Sequence, residues 1–384
     1  MLDPASMPGN TTLVTRPVPV PLFSSVAPAN CTMPFEDSRV FVVMLYCVVC
    51  TLGLPANCLT GWLALGQALR GNVLAVYLSG LALCEGLYAG TLPLWALYVQ
   101  NQHRWTLGPW ACKVTAYVFF CNLYVSILLL CCVSFDRFMA VVYALESRGR
   151  RQQKTAVLLC TLVFLLVGLI HYPVFDMEYR GTCFETVPMD GLTAGYYYAR
   201  FAAGFAVPLS IIAFTNQRVL RSVELSEGLS ASCKAHVRRT AAAVVGIFLL
   251  CFAPYHLLLL VKAATFSYYR GDSSSVCAFE VRLCTVSVVS LCLSTVSSVA
   301  DPIIYVLATD HSRQEVSRIH REWKKWRAKT DVTKLACSKD TEEEGLPTSL
   351  ANDYVLPRPV QPPGPQPGSW ASPCSLERLG EESC

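Results

Sequence analysis

The chain has 384 residues, of which 53% are hydrophobic and 15% are charged, and its formal net charge is +4. Soluble domains have about 25% charged residues, so this composition indicates a membrane protein rather than a soluble enzyme. The small positive net charge does not favour a nucleic-acid partner, because the basic residues lie where membrane topology accounts for them.

The first 38 residues are rich in Pro, Ser and Thr. They contain two N-glycosylation sequons, which begin at Asn10 and Asn30. No basic region followed by an apolar core occurs here, so no cleaved signal peptide is expected and the first span would serve as the membrane signal. Residues 1–38 are predicted to form a glycosylated, disordered segment outside the cell.

Seven apolar segments follow, each long enough to cross a bilayer. They run from about 40 to 66, 73 to 98, 110 to 142, 155 to 174, 195 to 220, 236 to 262 and 282 to 308. In the third, Cys112 and Arg137 are separated by about 38 Å of helix, which reaches both headgroup layers. Its main polar residues are Asn122 and Ser126. We therefore predict an all-α membrane protein, with a seven-helix bundle over residues 39–309.

The distribution of Lys and Arg predicts the orientation. These residues are frequent after the third, fifth and seventh spans and sparse in the alternate connections. The positive-inside rule therefore places the N-terminus outside and the C-terminus in the cytoplasm. Residues 310–328 have an amphipathic helical pattern that suits the inner leaflet, and residues 329–384 are predicted to be a disordered cytoplasmic tail.

Several short motifs occur in order along these spans. They are the Asn57 motif, Leu-Ala-Leu-Cys-Glu ending at Glu85, Asp136-Arg137-Phe138, Cys-Phe-Ala-Pro ending at Pro254, and Asp301-Pro302-Ile-Ile-Tyr305. With seven spans, they resemble the rhodopsin-like (class A) G-protein-coupled receptors from about residue 40 to 326. Glu85, Arg200 and the His-Ser-Arg-Gln-Glu run from His311 further resemble the proton-sensing and lysolipid or oxidised-fatty-acid subfamily. The departures from the class pattern are Glu85 in place of Asp, Asn216 in place of Tyr, Phe252 in place of Trp, and a fourth span without the usual Trp.

The resemblance implies a plasma-membrane receptor that activates heterotrimeric G proteins. The expected ligands are oxidised free fatty acids or related acyl lipids, and extracellular protons. Arrestin and receptor kinases would act on the tail, and membrane lipid would surround the bundle. The alternative is a receptor with high basal activity that its lipid ligand or pH only modulates. An enzyme is not expected, because the histidines are scattered and form no zinc-binding cluster.

At the inner end of the third span, the resemblance implies an activation latch. Asp136 would hold Arg137 in the resting state, and release of Arg137 would open a cavity for a G-protein helix. The other predicted members of the latch are Phe138, Phe252, Pro254, Pro302 and Tyr305. The alternative is an interfacial arginine that extends toward water.

Two disulfides are predicted at the outer end. Cys112 and Cys183 lie outside the membrane, where an oxidising compartment allows a bond that ties the loop to the third helix. By the resemblance, Cys31 is expected to pair with Cys277, and Cys284 is a rival for Cys277.

Glu85 and Asp301 are acids deep within apolar helices, and such residues are functional candidates by default. Two neighbouring carboxylates cannot both ionise cheaply without a cation, so we expect their titrations to be coupled. Related receptors hold a sodium ion here, and protonation would release it and favour the active state. The alternative is a static hydrated network. The residues expected to hydrogen-bond around the two acids are Asn57, Ser126, Ser297 and Ser298.

Arg200 lies about one turn inside the fifth span. A membrane-placed arginine costs at least about 2.5 kcal/mol unless it is paired or hydrated, so it should face the bundle. A guanidinium there suits a fatty-acid carboxylate or a lipid phosphate. The alternative is an ion pair with Glu280 or Glu185. The other predicted ligand-binding residues are Tyr197, Tyr255, His256, Lys262 and Arg282.

Overall fold

The computed structural model describes residues 33–143, 152–176, 183 and 189–308. Within these ranges, seven helices are long and apolar enough to cross a membrane, which confirms the predicted fold class. They are α1 (Phe35–Leu69), α2 (Val73–Gln100), α3 (Pro109–Val142), α4 (Gln153–Asp176), α5 (Gly191–Leu225), α6 (Ala231–Tyr268) and α7 (Cys284–Leu307). The sequons, Cys31, the predicted amphipathic helix and the tail lie outside the described residues.

Helix boundaries lie where side chains can replace the missing intrahelical hydrogen bonds. Asn72 caps α2 by accepting a hydrogen bond from the Ala75 amide at 3.3 Å, and Gly71 before it has a φ of 95°. Asp190 caps α5 in the same way through the Thr193 amide at 2.8 Å. Each cap stabilises its helix by about 1 kcal/mol relative to alanine.

Helices α5 and α6 each contain one π-helical turn beside a proline. The turns are Ala202–Ala206 in α5 and Phe248–Phe252 in α6, and the prolines are Pro208 and Pro254. A proline cannot donate to the preceding turn, and a wider turn accommodates this interruption. The turn in α6 leaves Phe248 and Phe252 completely buried.

The main apolar core lies around α3, which packs against α2, α4 and α5. Helices α1 and α4 instead expose large apolar side chains, such as Trp62 with 78% of its surface exposed and Leu169 with 72%. Exposed apolar surface of this kind is what lipid-facing helices require.

The predicted fifth and sixth spans were too short at both ends, because α5 runs from Gly191 to Leu225 and α6 from Ala231 to Tyr268. A short helix, Ser273–Arg282, was also not predicted. It precedes α7 and is capped by Asp272, which accepts a hydrogen bond from the Ser275 amide at 3.0 Å. These hydrogen bonds lower the pKa of the exposed Asp272 carboxyl.

We expect Gly204→Ala to destabilise the bundle. A Cβ atom at position 204 would lie 2.5 Å from Cε1 of the buried Tyr124 ring. Overpacking of this kind typically costs about 1–3 kcal/mol, so the thermal midpoint of the purified protein should fall. Gly90→Ala is the matched control, since in the described part of the chain its added Cβ would meet no side chain and no other helix within 4 Å. Equal thermal midpoints for the two variants would contradict this packing.

Candidate functional site

One end of the bundle is closed by the predicted disulfide between Cys112 and Cys183. The S–S distance is 2.05 Å and the Cα atoms are 5.7 Å apart, so this prediction is confirmed. The Cys183 amide also donates a hydrogen bond to the Tyr98 hydroxyl at 3.1 Å. Residue 183 is thereby attached to both α2 and α3. We call this the disulfide end, and the opposite end the Arg137 end.

Cys277 lies at the same end and is also disulfide-bonded. Its predicted partner, Cys31, lies outside the described residues. The rival residue, Cys284, is a buried thiol at the start of α7. The structure therefore favours Cys277 over Cys284 as the cysteine that forms a second crosslink.

Arg200 projects from α5 among aromatic side chains. Its guanidinium carbon lies 4.5 Å from the centre of the Phe120 ring, a cation–π contact. The hydroxyl groups of Tyr124, Tyr197 and Tyr255 interact electrostatically with it. The structure thus brings two predicted ligand residues, Tyr197 and Tyr255, together with Arg200. Phe120 and Tyr124 were not predicted.

The alternative ion pair of Arg200 is not observed in the described part of the chain. Among the described residues, an ion pair within 4.0 Å is formed by Arg39 and Glu36, and Arg200 does not take part in it. Glu280 interacts instead with Lys262, and Glu185 lies outside the described residues. Arg200 is therefore a half-buried cation that has aromatic rings and hydroxyl groups as neighbours.

Two histidines pack against the Arg200 neighbourhood from either side. The His171 ring stacks on Tyr124 with 5.1 Å between centroids, and the His256 ring meets Tyr124 edge-on at 5.9 Å. His256 is completely buried, and its Nδ1 lies 2.8 Å from the carbonyl oxygen of Phe252. It therefore connects the Arg200 group to the π turn of α6. From the sequence, His103, His171 and His256 are the outer-half histidines that could sense acid, and only His256 was expected at the ligand site.

The two predicted rim cations differ in their surroundings. Lys262 is half-buried on α6 and interacts electrostatically with Glu280. Arg282 is exposed at the end of the short helix. Only Lys262 is therefore enclosed with the Arg200 group.

Glu85 lies near the middle of α2 and is completely buried. It accepts hydrogen bonds from side chains on α3 and α7. The donors are Asn122 Nδ2 at 3.2 Å, Ser126 Oγ at 2.7 Å, Ser297 Oγ at 3.2 Å and Ser298 Oγ at 2.5 Å. Asn122 was not among the residues predicted to hydrogen-bond to the two acids. Asn57 binds the backbone instead, since its Nδ2 donates to the Ser298 carbonyl at 2.6 Å and joins α1 to α7.

Asp301 is also buried, with 2% of its surface exposed, and interacts electrostatically with Glu85. Its carboxylate oxygens accept no hydrogen bond from the amide and hydroxyl donors of the described residues, and the Glu85 carboxyl is the neighbour with which Asp301 can share a proton. A buried charge without a partner is costly, so this position requires a proton or a cation. The two acids are thus close together as predicted, but Glu85 accepts four hydrogen bonds from amide and hydroxyl donors and Asp301 accepts none from such donors in the described residues.

The Arg137 end contains a small, solvent-open pocket of about 30 Å³. Arg137 lines it together with Ser134 of α3, Asn216 of α5 and His236 of α6. Asn216 Nδ2 lies 3.4 Å from Ser134 Oγ, so the residue found in place of the family tyrosine connects α5 to α3.

Four further predicted latch residues lie toward this end, whereas Phe252 and Pro254 lie at the π turn of α6. Asp136 is buried, Phe138 packs against Val219 and Val223 of α5, and Pro302 lies within the last part of α7. The Tyr305 hydroxyl accepts a hydrogen bond from Gln67 Nε2 at 2.9 Å. Thr240 Oγ1 donates to the Leu307 carbonyl at 3.0 Å, which ties α6 to α7.

Comparison with known proteins agrees with this architecture. The family model described as 7 transmembrane receptor (rhodopsin family) matches residues 56–305. The chain is 64% identical over 376 residues to Probable G-protein coupled receptor 132 of Homo sapiens, covering 98% of this chain and 97% of that protein. It is 30% identical over 297 residues to G-protein coupled receptor 68 of Bos taurus, covering 76% and 80%. The chain therefore belongs to the rhodopsin family of seven-transmembrane, G-protein-coupled receptors.

Proposed function

We propose that this plasma-membrane receptor responds to acyl lipids with an anionic head, such as oxidised free fatty acids, and activates heterotrimeric G proteins. The disulfide end would face outside and the Arg137 end the cytoplasm, as the distribution of basic residues predicts. The observation that carries the proposal is Arg200, a cation enclosed by aromatic rings and without a carboxylate partner among the described residues.

The chemistry of this group suits an acyl acid. The guanidinium can donate two parallel hydrogen bonds to one carboxylate, and its surroundings strengthen them by excluding water. The rings of Phe120 and Phe201 offer apolar surface for an acyl chain. A neutral ester of the same lipid would keep the apolar contact and lose the charge-assisted bonds.

A continuous set of contacts leads from this site toward the Arg137 end. Tyr124 lies beside Arg200 and packs on His256, which contacts the Phe252 carbonyl. Phe252 lies in the π turn of α6, the helix that also lines the pocket at the Arg137 end. A ligand that repositions Tyr124 would therefore bias the position of α6, and outward movement of α6 would enlarge the pocket for a G-protein helix.

Glu85 and Asp301 form a second proposed control point. The buried oxygens of Asp301 suit a monovalent cation, and the expected ligands of a sodium ion are Asp301, Glu85 and the Ser297 hydroxyl. A bound sodium ion would supply positive charge that offsets the two carboxylates. Protons would compete for the same oxygens, which would give the receptor a second, pH-dependent input.

The experiment is GDP–GTP exchange by a purified G protein with the receptor in nanodiscs of defined lipid. An oxidised C18 fatty acid is expected to accelerate exchange, and its methyl ester is expected to have little effect. Fast exchange without added lipid, changed little by the acid, would instead favour the alternative receptor with high basal activity. Equal stimulation by acid and ester would contradict carboxylate recognition.

A further inference from the structure

Glu280 is a buried acid at the disulfide end, on the short helix before α7. Only 5% of its surface is exposed, and its Oε2 has no hydrogen-bond partner among the described residues. A backbone hydrogen bond from Met189 holds the carboxylate in place. Met189 and Val276 also form a small apolar cluster beside it, with Tyr197 packed against that cluster. An ionised group in these surroundings is poorly solvated and needs a nearby cation.

That cation is Lys262 of α6, which is half-buried and interacts electrostatically with Glu280. The two side chains do not form an ion pair within 4.0 Å in the described part of the chain. Tyr197 interacts electrostatically with both Glu280 and Arg200. Tyr197 thus connects Glu280 and Lys262 to the polar group that contains Arg200.

We propose that Glu280 competes with the head group of an anionic acyl ligand for Lys262, so that ligand binding is coupled to uptake of one proton by Glu280. The inference rests on the proposed function, since it requires an anionic ligand at this site. A second carboxylate that enters beside Glu280 would share one cation with it, and two carboxylates at one site cannot both ionise cheaply. The proton comes from the solvent at the disulfide end and leaves when the ligand dissociates.

The other charged groups around Glu280 are compatible with this role. Tyr197 faces it from α5, Lys262 from α6, and Cys284 at the start of α7 acts on Lys262. Arg282 on the same short helix is exposed to solvent. Burial already raises the pKa of the Glu280 carboxyl, although Lys262 and the Met189 amide oppose this.

The sign of the coupling follows from linkage. A nearby ligand carboxylate raises the pKa of Glu280 further, so the complex holds more protons than the ligand-free receptor. Affinity therefore rises as the pH falls between the two Glu280 pKa values, with a limit of about tenfold per pH unit for one proton. A neutral ligand would show no such dependence on Glu280.

The test is saturation binding of an N-acyl glycine to the purified full-length receptor in nanodiscs, between about pH 6 and about pH 8. The probe's α-carboxylate has a pKa near 3.5, so the probe itself stays ionised. Wild type is expected to bind several-fold more tightly at the lower pH. Glu280→Gln, which mimics the protonated acid, should bind at the higher pH nearly as tightly as wild type at the lower. Asp272→Asn is the matched control and should keep the wild-type pH slope.

The outcomes separate the two proposals. An unchanged pH slope in Glu280→Gln, with saturable binding intact, would overturn the role of Glu280 and leave the proposed function standing. Absence of saturable binding to wild type would overturn the proposed function, and this inference with it. Lys262→Gln provides a second variant, which should weaken binding and also remove the Glu280-dependent part of the slope.

Discussion

Arg200→Gln is expected to raise the acyl-acid concentration for half-maximal G-protein activation by roughly 30-fold or more. The reason is that the substitution leaves the ligand carboxylate in the same apolar surroundings without its cation. Loss of one partner of a buried charge pair costs at least about 2 kcal/mol, and each 1.4 kcal/mol is about tenfold in affinity. The measurement is a dose response at matched receptor levels in the membrane. Arg200→Lys keeps the charge but not the planar fork, so it should recover only part of the loss.

Arg104→Gln is the matched control for Arg200. It removes the same charge from the same end of the bundle, but Arg104 is exposed to solvent. Exposed charges typically contribute about 1 kcal/mol or less, so we expect a shift of at most a few-fold. Similar shifts in both variants would indicate general attraction of anions rather than a site at Arg200.

Removal of the Asp301 charge is expected to abolish stabilisation by sodium. In wild type, sodium chloride should raise the thermal midpoint above that in choline chloride at equal ionic strength. A sodium concentration 10 to 100 times the dissociation constant of the site would add about 1.4 to 2.7 kcal/mol to the free energy of unfolding. Asp301→Asn should lose this difference, because its amide cannot supply the negative charge that holds the ion. The sodium effect should also decline as the pH falls, since protons compete for the same oxygens.

The double substitution Glu85→Gln with Asp301→Asn tests the same core through signalling. It leaves no carboxylate at this position, so any part of the pH response that arises here should shift or disappear. Asp37→Asn, which neutralises an exposed acid at the start of α1, is the control. A strong pH response that is unshifted in the double variant would locate proton sensing elsewhere.

The seven spans could be predicted because lipid requires long apolar helices, and each such helix is a continuous stretch of apolar residues in the sequence. The same stretches did not include the ends of α5 and α6, where the helix continues in contact with water and no longer needs an apolar sequence. The π turns at Ala202–Ala206 and Phe248–Phe252 were also missed. A single widened turn hardly alters the apolar period, and the nearby prolines mark only a local interruption.

The charged residues of the candidate site could be predicted from the sequence, whereas the aromatic residues Phe120 and Tyr124 around Arg200 could not. Arg200, Glu85 and Asp301 attract attention because charge is costly in a membrane. Asn122 precedes Ser126 by four residues, so helical spacing alone places both on one face and could have identified the first as a donor to Glu85. The stacking of His171 on Tyr124 depends on the rotation of α4 against α3, which local sequence does not encode.

The most direct test of the central claim is a binding cycle with two ligands and two receptors. An oxidised fatty acid and its methyl ester would each be titrated against wild type and Arg200→Gln in nanodiscs. If Arg200 binds the carboxylate, wild type should prefer the acid by roughly 30-fold or more, and the variant should lose most of that preference. A preference for the acid that is the same in both receptors would contradict binding of the carboxylate by Arg200.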